Sequence, residues 1–259
     1  MNVLCIGNSF CACLHRQLPP LAEAEGRKLA LATLSIAGCT LDRHAGNLAK
    51  SSADPSFRPY GARCSGFPPG EWREGEFKAS MGEMLARGGW DVVTIQQGSG
   101  KSWDYATYQP HGHAVVEAVR KACPKAEVVL QQTWAYRADD VCIRDGGLWG
   151  FGQDEMAERV FAAYDRFAAD KKIARLIPAG RAVWLSRRRE TPPFRPYAPA
   201  ALAACRWPDL PSQAGDAVSA EHLVNERYRD DDPWYSPWSP NASGSGRIVL
   251  MLLEGRERQ

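Results

Sequence analysis

Five short runs of β-branched and aliphatic residues recur along the chain, at 2–6, 29–36, 91–96, 126–133 and 174–178, with helix-length segments between most of them. No other feature limits the fold as much. A strand that returns parallel to its predecessor needs a crossover of a dozen residues or more, usually a helix, so the rhythm predicts a three-layer α/β/α fold around a five-stranded parallel sheet. The stretches 77–87, 111–122 and 153–171 have helical periodicity. In the last, Met156, Val160, Tyr164 and Phe167 fall three or four apart, predicting one core-facing stripe.

Two regions break the rhythm. Segment 51–76 is dense in proline and glycine (Arg58-Pro59-Tyr60-Gly61, then Gly66-Phe67-Pro68-Pro69-Gly70), which predicts a long loop on the substrate side. From about 186 onward Pro192, Pro193, Pro196, Pro199, Pro208 and Pro211 crowd the chain, and 229–246 is rich in Asp, Trp, Pro, Ser and Gly. The expected organisation is one α/β domain over 1–228, with 51–76 as an inserted loop, and a divergent tail over 229–259.

Charge is nearly balanced, with 32 Lys and Arg against 30 Asp and Glu. Such a chain has no long-range field to attract nucleic acid or an anionic membrane. No apolar run reaches the roughly 18 residues of a membrane span, and residues 1–10 contain neither a basic leader nor a signal-length apolar stretch. A cytoplasmic location is expected. The eight cysteines lack CxxC spacing and suit scattered thiols better than a disulfide frame or a zinc site. His111-Gly112-His113 supplies only two of the ligands that zinc requires and is expected to open a helix. No metal or organic cofactor is expected.

Chemistry concentrates at strand ends. Val3-Leu4-Cys5-Ile6 breaks at Gly7 and delivers Asn8-Ser9-Phe10 just before a helix, presenting Ser9 at the carboxyl end of the first strand. A serine needs a base to take its proton and donors to hold an oxyanion. After the second strand, Gly38 lets a backbone N–H approach a substrate oxygen. After the third, Gln96-Gln97-Gly98-Ser99 offers an amide donor; only one of the two glutamines can face the crevice, and Gln97, beside the turn, is the preferred one. Trp134, Tyr136 and Arg137 follow the fourth strand, where aromatic faces beside a guanidinium suit a sugar ring carrying an acidic or acyl group, although core packing accounts for Trp134 equally well.

Gly7-Asn8-Ser9-Phe10, Gly38 and the Gln-Gln-Gly-Ser turn, in this order, resemble the first three blocks of the SGNH (GDSL-type) hydrolases, in a bacterial branch carrying GNSF in place of GDS. The likeness runs on through Gly38 to His44, Asp104 to Tyr108, Gln132 to Arg137 and Leu176 to Gly180, roughly residues 1 to 185. It implies a flavodoxin-like three-layer fold and ester hydrolysis, often of acylated carbohydrate. Ser9 would be the nucleophile, and the oxyanion hole would combine the N–H groups of Ser9 and Gly38 with a third-block side chain, here Gln97.

The family's closing Asp-x-x-His is missing. With His222 as base, the residue three before it is Ser219, so the acid comes from Asp216 or elsewhere; by spacing, Asp232-Pro233-Trp234-Tyr235 falls where the motif belongs, with tyrosine in the base's place. The candidate catalytic set is Ser9, His222 and Asp232. The expected function is a serine hydrolase acting on a small ester, a carbohydrate O-deacylase being the first choice. The alternative is a degenerate protein of the same fold that binds a sugar-like ligand without turnover.

Overall fold

The computed structural model describes residues 1–187 apart from 13, 70–72 and 74. His222, Asp232 and the tail expected over 229–259 lie outside the described residues. The elements run β1 (Asn2–Gly7), α1 (Ser9–Ala12), α2 (Leu14–Ala24), β2 (Ala30–Ser35), α3 (Leu41–Ala53), β3 (Tyr60–Ser65), β4 (Gly75–Ala79), α4 (Met81–Arg87), β5 (Val92–Ile95), α5 (His111–Ala122), β6 (Glu127–Gln131), α6 (Gln153–Asp170), β7 (Arg175–Ile177) and α7 (Ala179–Arg187). A single 3₁₀ turn, Tyr105–Tyr108, precedes α5.

The fold is a mixed α/β sandwich with a central sheet and flanking helices. All five expected strands are present and parallel, in the order β2-β1-β5-β6-β7. The sheet is nevertheless larger than expected, because two antiparallel strands extend it from β2, giving β4-β3-β2-β1-β5-β6-β7.

Those two strands correct the reading of 51–76 as loop. Residues 51–53 close α3, and Tyr60–Ser65 is a strand whose Tyr60, Ala62 and Cys64 alternate inward. The helix expected from 77 also starts later, since Phe77 to Ala79 belong to β4. Ser80 sets its beginning through a capping box: its hydroxyl accepts the Glu83 N–H at 3.1 Å, and the Glu83 carboxylate accepts the Ser80 N–H. Caps of this kind stabilise a helix start by about 1 kcal/mol.

Alternation along the strands divides the core in two. Val3, Cys5, Leu31, Val92, Val129 and Ile177 pack with Leu14 and Leu18 of α2 and with Ala179 and Val183 of α7. Leu4, Ile6, Leu34, Val93, Ile95 and Leu130 pack on the opposite face with α3 to α6, where Met156, Val160, Tyr164 and Phe167 form the stripe expected for α6. Burial of each such side chain contributes roughly 1.5–3 kcal/mol. Register aligns Gly7 with Ser35, Ile6 with Ile95, Ile95 with Leu130, and Leu130 with Leu176, so the parallel strands end side by side. The turns that follow them share one edge, where open α/β sheets bind ligands.

Candidate functional site

At the centre of that edge, β1 ends on a residue that has to be glycine. A Cβ at Gly7 would lie 2.4 Å from Cδ and 2.7 Å from Oε1 of Gln96, whose side chain crosses that space. The Gln96 Oε1 accepts the Asn8 N–H at 3.2 Å. Its Nε2 is buried without a partner.

Asn8 is itself buried and laces three turns together. Its Nδ2 donates to the Cys39 carbonyl at 3.3 Å and the Gln97 carbonyl at 3.4 Å, while its Oδ1 accepts the Phe10 N–H at 3.1 Å. The last bond caps α1. Ser9, the first residue of α1, is exposed. No hydrogen bond to the Ser9 hydroxyl is made among the described residues, so it stands exposed and unengaged at this edge.

Gly38 occupies the turn after β2, closed by the Cys39 N–H donating to the Ile36 carbonyl at 3.0 Å. Its φ of +60° is a left-handed conformation that L side chains pay about 1–2 kcal/mol to adopt. The turn after β5 presses against it: a Cβ at Gly98 would lie 2.8 Å from Thr40 Cγ2, 3.0 Å from the Cys39 carbonyl oxygen and 3.3 Å from that of Gly38. The structure therefore brings together Ser9, the Gly38 turn and the Gln96-Gln97-Gly98 turn.

Gln97 does not sit as an oxyanion donor should. Its Oε1 accepts the Leu41 N–H at 2.8 Å and the Gly98 N–H at 2.9 Å, and its Nε2 donates at 3.2 Å to both the carbonyl and the hydroxyl of Thr107. Both amide protons are engaged, and none remains for a substrate. The side chain instead ties the β5 turn to the start of α3 and to the 3₁₀ turn. The unengaged amide donor is on Gln96.

Trp134 is only 3% exposed and meets the Phe10 ring edge-on at 4.0 Å, which makes it a packing residue under α1. Tyr136 is half-buried, stacks on Trp149 at 5.4 Å, and has its phenol pushed up to about 12 by burial, so it stays neutral. Arg137 pairs with Asp139 at 2.6 Å, and Arg187 donates to the carbonyls of Ala135 and Tyr136 at 2.8 and 3.2 Å. The Cys39 thiol, pushed up to about 12 by burial, is not a thiolate nucleophile at neutral pH.

None of the described histidines hydrogen-bonds to Ser9. His44 is fully buried, shares a 2.9 Å hydrogen bond through Nδ1 with the Tyr60 hydroxyl, and is pulled down to about 4 by burial. His15, likewise held near 4 by burial, bonds through Nδ1 to the Ser65 hydroxyl. His111 and His113 open α5, and the His113 ring stacks on Phe167. Among the described residues, no three of His, Cys, Asp and Glu cluster as metal ligands would, and no helix is long and apolar enough to cross a membrane.

Comparison with solved structures finds a DUF4886 family protein from Bacteroides uniformis with the same fold, at a TM-score of 0.64 and 23% identity over 97% of this chain and 95% of that one. More distant likenesses are a GDSL-like lipase from Parabacteroides merdae (TM-score 0.43, 13% identity, 72% of this chain and 81% of that one) and an extracellular lipase from Streptomyces rimosus (0.40, 13%, 75% and 86%). No curated protein matches the chain. A model of the domain of unknown function DUF4886 matches residues 2–192, and the chain belongs to that family.

Proposed function

We propose that this protein is a serine hydrolase of SGNH type that cleaves a small ester, with an acylated carbohydrate as the first substrate to try. One observation carries the reading: Ser9 stands exposed and unengaged at the carboxyl end of the central strand, beside the Gly38 turn, on a backbone that Asn8 and Gln96 hold in place. In this scheme Ser9 Oγ bonds to the ester carbonyl carbon as its proton passes to a base. The oxyanion is held by the N–H groups of Ser9 and Gly38. The C–O bond to the alcohol then breaks, the alcohol takes the proton, and water releases the acid from Ser9. His222 is the proposed base and Asp232 its acidic partner; Tyr136 and Arg137 would contact the alcohol moiety.

General-base assistance is worth about 10²–10⁴-fold, so the base decides whether this is an enzyme. Ser9→Ala should abolish hydrolysis of short aryl esters with the fold retained, and a fluorophosphonate should add once to the wild type and not to the variant, as read by intact mass. Turnover that survives in Ser9→Ala would sink the proposal. The second reading, a sugar-binding protein without turnover, draws on the missing Asp-x-x-His and on the lack of a hydrogen-bonded base at Ser9 among the described residues. Calorimetric binding of acetylated saccharides by a protein that neither hydrolyses them nor takes the probe would favour it.

A further inference from the structure

The two outer strands of the sheet differ. β7 is three residues long, its Arg175 is tied to Glu127 of β6, and α7 starts two residues after it. β4 is five residues long and pairs with β3 along its whole length. Among the described residues, no backbone hydrogen bond reaches β4 from its far side. An unpaired edge of this kind turns alternate N–H and C=O groups outward, as a template for another strand.

Charged residues on a short edge usually resist such pairing, but in β4 they favour one particular partner. Phe77 and Ala79 belong to the core shared with Tyr60 and Ala62, while Glu76 and Lys78 are exposed on the other face, where Glu76 lies 3.7 Å from Arg63 of β3. Two copies of β4 related by a two-fold axis run antiparallel, and directly opposed residues lie on one face of the sheet, so the axis passes through a residue. Centred on Glu76, the pairing sets two carboxylates against each other; centred on Lys78, it opposes two ammonium groups. Centred on Phe77, it sets Glu76 against Lys78 twice, Phe77 against its own copy, and Gly75 against Ala79. Arg63, Glu76 and Lys78 of the second copy then alternate in sign across the joint.

We infer that the outer edge of β4 is a self-association site, occupied by β4 of a second copy in antiparallel register about Phe77, which joins two seven-stranded sheets into one. Gly75-Glu76-Phe77-Lys78-Ala79 is complementary to its own reverse: acid meets base on both sides of the centre, and small residues meet at both ends. Opposite charges directly across an antiparallel pair favour it, and like charges oppose it. A joint built on one strand pair is small among protein interfaces, so the dimer is a weak one that forms at micromolar concentrations. The inference is independent of the hydrolase reading, since β4 lies three strands away from β1.

Sedimentation velocity of the full chain, over a concentration series through the micromolar range, should show a monomer–dimer equilibrium that weakens as salt is added. Glu76→Lys and Lys78→Glu each make both cross-pairs alike in charge and should weaken association by about tenfold. Both positions are exposed, so neither substitution touches the core, and circular dichroism checks that the fold is kept. Combining the two substitutions in one chain should restore the association that each removes. An equimolar mixture of the two single variants should also dimerise more tightly than either does alone, because each then meets its opposite. Amides of residues 76–78 should exchange more slowly in the dimer than in the monomer. A wild type that stays monomeric throughout would overturn the inference, and so would a dimer that both single reversals leave unchanged, since it would use another surface. A monomer whose β4 amides are already protected would assign the edge to another segment of this chain, and would equally end the proposal.

Discussion

Replacing Asn8 tests the lacing of the crevice directly. Asn8→Ala removes the cap on α1 and two donations to buried carbonyls, at 3.3 and 3.4 Å, whose length places them at the weak end of the range. A lost cap costs about 0.5–2 kcal/mol, and each buried acceptor left without its donor adds about 1 kcal/mol. The expected loss is about 2–4 kcal/mol, a fall in Tm of about 5–15 °C for a domain of this size.

Asn8→Asp separates the two functions. The introduced carboxylate keeps the cap and gains from the helix dipole, yet it faces the Cys39 and Gln97 carbonyls with no proton to donate. At pH 7 it should be at least as destabilised as Asn8→Ala. Its folded-state pKa must lie above the ordinary carboxylate value of about 3.9, so between those two values the folded form binds more protons than the unfolded form. Stability relative to wild type should therefore recover as pH falls through the folded pKa, and Asn8→Ala should show no such recovery. Urea melts of the three proteins from pH 7 to 4.5 give the comparison. An Asn8→Asp protein as stable as wild type at pH 7 would refute the account of Asn8 as donor to both turns.

Two further substitutions probe the same edge and its surroundings. Gly7→Ala forces a methyl into the Gln96 side chain and breaks the bond that holds the Asn8 N–H; a loss of about 2–4 kcal/mol is expected, partly relieved by adding Gln96→Ala, and a neutral melt would show that Gln96 does not cross Gly7. Burial lowers the His44 pKa to about 4 against an unfolded value of 6.5, so the stability of the neutral, folded form is intact above pH 6.5 and is lost as pH falls toward 4. The size is about 3 kcal/mol at 1.36 per unit. His44→Gln should flatten that part of the pH–stability curve, leaving the share due to His15, and an unchanged slope would show that His44 is not buried neutral.

The parallel core was legible because each of its strands carries consecutive aliphatic or β-branched residues, as Val92-Val93-Thr94-Ile95 does, between breakers. The β3–β4 hairpin was not. Tyr60-Gly61-Ala62-Arg63-Cys64-Ser65 contains no β-branched residue, and its period-two burial is hidden beside a stretch dense in proline and glycine. Ser80 and Glu83, by contrast, spell a capping box in plain sequence, and reading it would have moved the α4 boundary to its place. At the site, Ser9 and Gly38 could be picked out from local pattern alone. The parts of Asn8, Gln96 and Gln97 could not, because their partners lie up to 89 residues away and a buried amide looks the same in sequence whether it serves structure or substrate.

The hairpin has a consequence for where rigidity lies. With β3 and β4 added, β1 becomes the fourth of seven strands, the sole seam between a mixed half (β2 to β4) and a parallel half (β5 to β7). Amide protons of β1 can be released only by separating those halves, so those of Leu4 and Ile6 should exchange with solvent at the rate of global unfolding. Ser9 therefore stands three residues beyond Ile6, whose backbone is expected to be among the slowest to exchange of the described residues. The start of α1 is anchored by the strand before it, and any adjustment at this edge falls to the turns around it.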